Sequence, residues 1–407
     1  MSRLDELIAE MCPDGVEYKT LGEVATISRG GNFQKKDYVE NGVPCIHYGQ
    51  IYTRYGLFVD ETISFISDEK AKKQKFAKPN DVIMAVTSEN VDDVCTSIAW
   101  LGNEDVAVSG HTAIIHHTLD PKFMVYFLRS EHFYKQKLKL VHGTKVIEVT
   151  PDHLARVVLP VPPLEVQREI VRILDDFTEA TDELTAKLTA ELTARKKQYE
   201  YYRNELLSRT DNKVSLSDIE LKHCSGATPK KGNKAFYEKG NVPWLRTQEV
   251  VFNEIYETEC SITEYAVEKT GTKWIPSNCV IVAISGASAG RCAINKIPLT
   301  TNQHCLNIEI DKKKALYKYV FYCVSNQFDE LVEKREGARG DLNASRILGL
   351  KIPLPSLSEQ KKIVDVLDKL NNLTNDISSG LPAEIAARQK QYEYYRDKLL
   401  SFKELNA

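Results

Sequence analysis

The chain is 407 residues long, 42% hydrophobic and 27% charged, without an uninterrupted apolar run of the length that spans a bilayer. One hydrophobic core does not serve a chain of that size, so two or more domains are expected. The net charge is -3 and no segment forms a polybasic tail, which leaves any contact with nucleic acid to local basic faces, such as Lys70, Lys72, Lys73, Lys75 and Lys78.

The N-terminus Met1-Ser2-Arg3-Leu4-Asp5-Glu6 carries acids where a secretory peptide needs an apolar core, which points to the cytoplasm. Leu4, Leu7, Ile8 and Met11 fall at helical spacing, and Pro13-Asp14-Gly15 ends that short helix. From 19 to about 160 the pattern shortens into strands over 21–27, 43–46, 82–86, 98–101 and 112–116. Gly30-Gly31 and Asn41-Gly42 punctuate them. A helix is expected over 125–138 and a closing strand over 156–161, which Pro160, Pro162 and Pro163 keep from running into the next helix. The nine cysteines are scattered without a Cys-x-x-Cys pair, so free, mostly buried thiols are expected and a metal site is not.

Then the period changes. Ile170, Leu174, Phe177, Thr181, Leu184, Leu188, Leu192, Arg195, Tyr199, Tyr202 and Leu206 alternate mostly by three and four, the seam of a coiled-coil-like helix. Roughly 40 residues at 1.5 Å each would reach about 60 Å. The end of this helix, Ala194 to Ser208, returns at 387–401 with twelve of fifteen residues identical, at an offset of 193. Self-similarity of this kind marks an internal duplication.

The second half repeats the first. Gly42-Val43-Pro44-Cys45-Ile46 matches Asn241-Val242-Pro243-Trp244-Leu245, and Asp81-Val82-Ile83-Met84-Ala85 matches Cys279-Val280-Ile281-Val282-Ala283. Leu159-Pro160-Val161-Pro162-Pro163-Leu164 matches Ile352-Pro353-Leu354-Pro355-Ser356-Leu357. The organisation expected is an N-terminal helical stub (1–18), a domain (19–163), a long helix (164–208), a second domain (209–356) and a second long helix (357–407). Gly380-Leu381-Pro382 should interrupt that last helix near 380, because proline costs about 3 kcal/mol in a helix interior. Glu6-Leu7-Ile8 echoes Glu205-Leu206-Leu207, which would make the fold nearly cyclic.

The alternation of domain and helix resembles the specificity subunit of type I restriction-modification systems. So do the Ile/Leu-Pro-x-Pro-x-Leu-x-x-Gln approach to each helix and the Gln-Tyr-Glu-Tyr-Tyr-Arg near its end. In the second unit, Ser225-Gly226-Ala227-Thr228-Pro229 and Gly240-Asn241-Val242-Pro243-Trp244-Leu245-Arg246-Thr247 are similar to the opening of that family's target-recognition domains. The first unit departs from it with Arg29-Gly30-Gly31-Asn32-Phe33 and Cys45-Ile46-His47-Tyr48. The resemblance implies an α+β fold in which two target-recognition domains alternate with two long helices packed as an antiparallel coiled coil, a pseudo-two-fold internal repeat. It implies a non-catalytic subunit that reads one half of a bipartite double-stranded DNA sequence with each domain. Two methyltransferase subunits and restriction subunits would be its partners, with S-adenosylmethionine, ATP and Mg in those partners and no cofactor here. Two-fold readers select half-sites about one helical turn (~34 Å) apart, so the helices would measure the spacer and the domains would read the bases.

Candidate DNA contacts are polar side chains in loops. His47, Tyr48 and Gln50 follow one matching strand, and Arg246, Thr247 and Gln248 follow the other, where Arg or Gln suits a guanine or adenine edge. Lys145 in Gly143-Thr144-Lys145 and Arg339 in Gly337-Ala338-Arg339-Gly340 combine a close-approach glycine with a cation. Arg29, Lys35, Ser288 and Arg291 complete the set. Tyr201 and Arg203, with their repeats Tyr394 and Arg396, face away from the helical seam and form a candidate docking surface for methyltransferase.

Two other readings compete: a coiled-coil adaptor without a DNA role, and a serine hydrolase. Gly286-Ala287-Ser288-Ala289-Gly290 satisfies Gly-x-Ser-x-Gly after an apolar strand. A nucleophile elbow needs a helix next, whereas Arg291-Cys292-Ala293-Ile294-Asn295 alternates like a strand, so a hairpin turn is expected. The Asn/Asp-Pro-Pro-aromatic loop of adenine methyltransferases is missing, since Val161-Pro162-Pro163-Leu164 fails at both flanks.

Overall fold

The computed structural model describes residues 2–143, 145–337, 340–375 and 380–405. The chain forms two compact units, one comprising Met1–Lys187 with Ile385–Ala407 and the other Leu188–Glu384. Both dividing points fall inside long helices, so each unit is a domain held by the end of one helix and the start of another.

The two domains repeat one sheet order. In the first unit, Ala25–Arg29, Thr112–His117, Val82–Ala85, Ser97–Trp100 and Phe58–Val59 lie side by side. Their counterparts are Glu220–Ser225, Cys305–Ile310, Val280–Ala283, Cys292–Asn295 and Glu254–Ile255. In each sheet only the last pair is parallel. The centre strand of each is buried on both faces, which accounts for its unbroken apolar run. One face packs on a second sheet, through Ile46, Ile83 and Val108 in the first unit and Leu245, Ile281 and Leu299 in the second. The other face packs on helices, through Met84, Met124 and Phe127 and through Val282, Val320 and Cys323.

The strand expected over 21–27 opens instead as a helical turn, Leu21–Val24, and only then extends as Ala25–Arg29. Thr20 is the reason. Its N–H and its hydroxyl both donate to Glu23 Oε2, at 2.7 and 2.6 Å, so a capping box overrides the β-branched pattern. Ser215 and Asp218 repeat the device before Leu216–Ile219. The single helix expected over 125–138 is two helices, Pro121–Leu128 and Glu131–Leu140, because Ser130 caps the second through Phe133 N–H.

The first long helix, Leu164–Leu206, is continuous over 43 residues. The second comes in two parts, Leu357–Asn375 and Leu381–Leu399. Pro382 occupies the first turn of the latter, where its missing N–H is not needed. The junction at 376–379 lies outside the described residues. Within the first unit the helices run antiparallel: Ile170 and Leu174 share a core with Leu399 and Leu400, and Thr178 Oγ1 lies 3.0 Å from Tyr392 OH. In the second unit Leu206 and Leu207 share a core with Ile363 and Leu367. The two ends of the chain also meet in the first unit, where Val16 N–H donates to Lys403 O at 2.8 Å and Leu405 N–H to Val16 O at 2.9 Å.

Each domain is fixed to its helix by the same clamp. Gln167 accepts from Asp120 N–H at 2.8 Å and donates to Pro162 O at 2.7 Å, and Gln360 does so with Leu316 N–H at 2.8 Å and Pro355 O at 2.9 Å. About two turns further on, Asp175 accepts from Lys122 at 2.6 Å and Tyr126 at 2.8 Å. Asp368 accepts from Lys318 at 2.7 Å and Tyr322 at 2.6 Å. The Pro-x-Pro-x-Leu-x-x-Gln motif is thus the hinge pin between reader and helix.

Candidate nucleic-acid interface

In the first unit the loop after Ala25–Arg29 folds over the strand Val43–Ile46 and encloses an open cleft of about 770 Å³. Gly30 permits this closure, since a Cβ there would stand 2.0 Å from Ser109 O. His47 and Tyr48 form the floor. Tyr48 lies between the rings of His47, at 4.5 Å, and His111, at 5.0 Å, and its N–H donates to Ser109 Oγ at 2.9 Å. Exposed Lys35, Lys36, Lys73 and Lys75 line the mouth. Lysines around an aromatic floor suit a polyanion whose bases reach inward.

His47 is buried, and burial, followed by the charges of Lys35 and His111, holds its pKa below the ordinary histidine value. Gly49 N–H points to its Nδ1 at 3.2 Å, so Nδ1 accepts and the neutral ring carries its proton on Nε2. Such a donor suits guanine O6 or N7, adenine N7 or thymine O4. Gln50 is corrected by the fold. It is buried, accepting from His47 N–H at 2.8 Å and donating to Ser64 Oγ at 2.6 Å, so it shapes the turn and does not face a base. Arg29 forms an ion pair with Glu148. Lys73, Lys75 and His111 were legible as cations and a paired histidine, but not as neighbours of His47.

The second unit repeats the frame with other chemistry. A Cβ on Gly226 would stand 1.8 Å from Thr301 O, so the loop crosses as closely as at Gly30. Arg246 takes the place of His47, with its N–H donating to Glu249 Oε1 at 3.0 Å. Its guanidinium pairs with Glu259, which also accepts from Gln248 Nε2 at 3.1 Å. Thr247 begins a 3₁₀ turn, and Lys230 and Lys231 stand exposed on the facing loop. His304 carries the backbone position of His111, since Ile284 N–H donates to His304 O as Val86 N–H does to His111 O.

Ser288 lies in the 3₁₀ turn Gly286–Ser288 between the antiparallel strands Val280–Ala283 and Cys292–Asn295, with Arg291 at its foot. This is a hairpin, and the helix of a nucleophile elbow is not there. Lys145 is exposed beyond Gly143, whereas Arg339 lies outside the described residues. On the helices Tyr201 and Tyr394 are 64% and 62% exposed, but Arg203 and Arg396 turn back over the rings of Tyr199 and Tyr392, at 5.5 and 5.9 Å. Arg396 is only 11% exposed and bonds Asp397 at 2.9 Å. The exposed docking candidates are therefore the tyrosines. All nine cysteines are thiols, seven of them buried. Among the described residues no group of three or more His, Cys, Asp or Glu side chains could hold a metal ion, and no helix is long and apolar enough to cross a membrane.

Residues 13–194 and 211–387 each match the family described as the type I restriction modification DNA specificity domain. The chain belongs to this specificity family. It is 32% identical, over 427 aligned positions, to the specificity subunit of the type I restriction enzyme EcoR124I/EcoR124II of Escherichia coli, covering 99% of this chain and 97% of that one. A putative type I restriction enzyme specificity subunit of Haemophilus influenzae is 32% identical over 316 positions, covering 74% and 76% of the two chains. Two solved structures share the specificity-subunit fold. A chain from work on complex assembly and conformational transition of the type I R-M system aligns with a TM-score of 0.70 at 16% identity, over 95% of this chain and 98% of that chain. The HsdS subunit of Thermoanaerobacter tengcongensis aligns with a TM-score of 0.55 at 16% identity, over 96% of each.

Proposed function

We propose that this specificity subunit directs a cytoplasmic type I restriction-modification enzyme to a bipartite double-stranded DNA sequence, one half read by each domain. The modules are those of the sequence organisation, with 19–163 and 209–356 as readers and the helices at 164–208 and 357–407 as spacer. Two methyltransferase subunits dock on the helices, with Tyr201 and Tyr394 as the exposed contacts, and restriction subunits join through them. Methyl transfer and cleavage, with S-adenosylmethionine, ATP and Mg, belong to those partners. The chain contributes position and orientation.

The observation that carries this reading is the lysine-rimmed cleft over His47, Tyr48 and His111. Cations at the mouth suit phosphate and fix register, while the neutral His47 donor within offers direct readout. The duplicated clamp supports the rest, because a reader tied to its helix through Asp175 or Asp368 carries helix spacing into half-site spacing. The test is to express the chain with its methyltransferase partner and map methylated adenines across a genome. One bipartite motif is expected. Exchanging residues 209–355 for those of another specificity subunit should change one half of the motif and spare the other. Scattered methylation, or change in both halves, would count against the proposal.

A further inference from the structure

We propose that Glu259 is a specificity-determining residue of the second domain: it holds Arg246 and Gln248 ready for a neutral base edge and bars phosphate from both. The proposal rests on the reading of that domain as a DNA reader. Glu249 ties two loops together, accepting from Arg246 N–H on one oxygen at 3.0 Å and from Glu259 N–H on the other at 2.8 Å. Glu259 then gathers both candidate reading side chains onto a single oxygen, Oε2. The cation of Arg246 is thereby set among two carboxylates. A phosphate approaching the guanidinium meets a net negative surround, whereas the neutral acceptors of a guanine or adenine edge do not.

The first domain is an internal control. Its frame is the same, with His47 N–H donating to Gln50 Oε1, but Gln50 is neutral where Glu249 is charged. Cys45 N–H donates to Ser64 O as Trp244 N–H does to Cys260 O, both at 3.0 Å, so Ile63 stands where Glu259 does. Ile63 is 57% exposed and carries no charge. The acid accompanies the domain that reads with an arginine and not the one that reads with a neutral histidine. Glu259 itself is 62% exposed on its side chain. Its hold on Arg246 is therefore weak enough for a matched base to share, and packing does not require it.

Glu259→Gln keeps the shape and removes the charge, and Glu259→Asp keeps the charge. The full chain, assembled with its methyltransferase subunits, is titrated with the mapped duplex, with duplexes bearing single changes in each half, and with an unrelated duplex over a range of salt. Glu259→Gln should bind the unrelated duplex about three- to tenfold more tightly, with a salt slope steeper by about 0.9, one extra phosphate contact. Discrimination at one or two positions of the second half should fall about tenfold while the first half is unchanged, and Glu259→Asp should restore it. Unchanged binding across the panel, or uniform weakening, would overturn the inference. A wild-type complex without sequence preference would instead overturn the proposed function itself.

Discussion

At the end of Val43–Ile46 the first domain presents a neutral histidine between an aromatic neighbour and four lysines; at the end of Val242–Leu245 the second presents an arginine between two glutamates. Each strand ends in a helical turn, an α-helix in one and a 3₁₀ turn in the other, closed by a side-chain acceptor three residues on. Main-chain hydrogen bonds are blind to side-chain identity, so the frame can stay while its reading chemistry diverges. The first site gathers aromatic and basic groups around one cleft, and the second pairs its cation with acids.

The largest expected effect breaks the contrast at the lysines. Replacing Lys35, Lys36, Lys73 and Lys75 by alanine should weaken DNA binding on the order of a hundredfold at moderate salt and flatten the salt slope, read by titration at several salt concentrations. If alanine at Lys230 and Lys231 costs as much, the two domains do not divide the work as their charges imply.

Next come the clamps, where the domains are expected to agree. Asp175→Asn and Asp368→Asn should each destabilise their own unit by about 1–3 kcal/mol, since each leaves a lysine and a tyrosine without their charged acceptor. Thermal unfolding of the two single variants and the double variant checks this, and near-additive losses are expected of separate sites. A loss confined to one variant would show that only one reader depends on the clamp for its attachment.

The smallest effect concerns pH. Burial holds the His47 pKa below the ordinary value in the folded chain, while the unfolded chain takes up a proton near that ordinary value of about 6.5. Below that pH the unfolded state binds more protons, so stability should fall on acidification through this range. His47→Gln should remove part of that slope in unfolding curves collected from pH 7.5 downward. His117, also held low by burial, should keep the remainder.

The helices, the duplication and the centre strands were legible because their signals are local: a period of three to four, an apolar run, a fifteen-residue repeat. Boundaries were misjudged where one side chain overrode a pattern, as Thr20 and Ser130 did. Of the candidate site, the sequence pointed to the loops after the matching strands, and the fold separates their members. Gln50 and Glu249 are alike in position and turn-closing role, and nothing local separates such a residue from one that faces a base. The place of Glu259 beside Arg246 and Gln248 was not legible, because the loop that carries it is separate in sequence.

By itself the sequence determined that there are two units, that helices follow them, and that a Pro-x-Pro-x-Leu-x-x-Gln motif joins each reader to its helix. Covalent order and side-chain periodicity are enough for that. Tertiary structure alone decided which charges are paired, and with what. Arg29 and Arg246 look like equal partners for DNA until the fold brings Glu148 and Glu259 beside them. Lys73 and Lys75 read as a basic face from the sequence, and only the fold places His47 beneath them. The reason is physical: a cation's availability depends on the field of groups that meet it across a sheet, and loops distant in sequence supply that field.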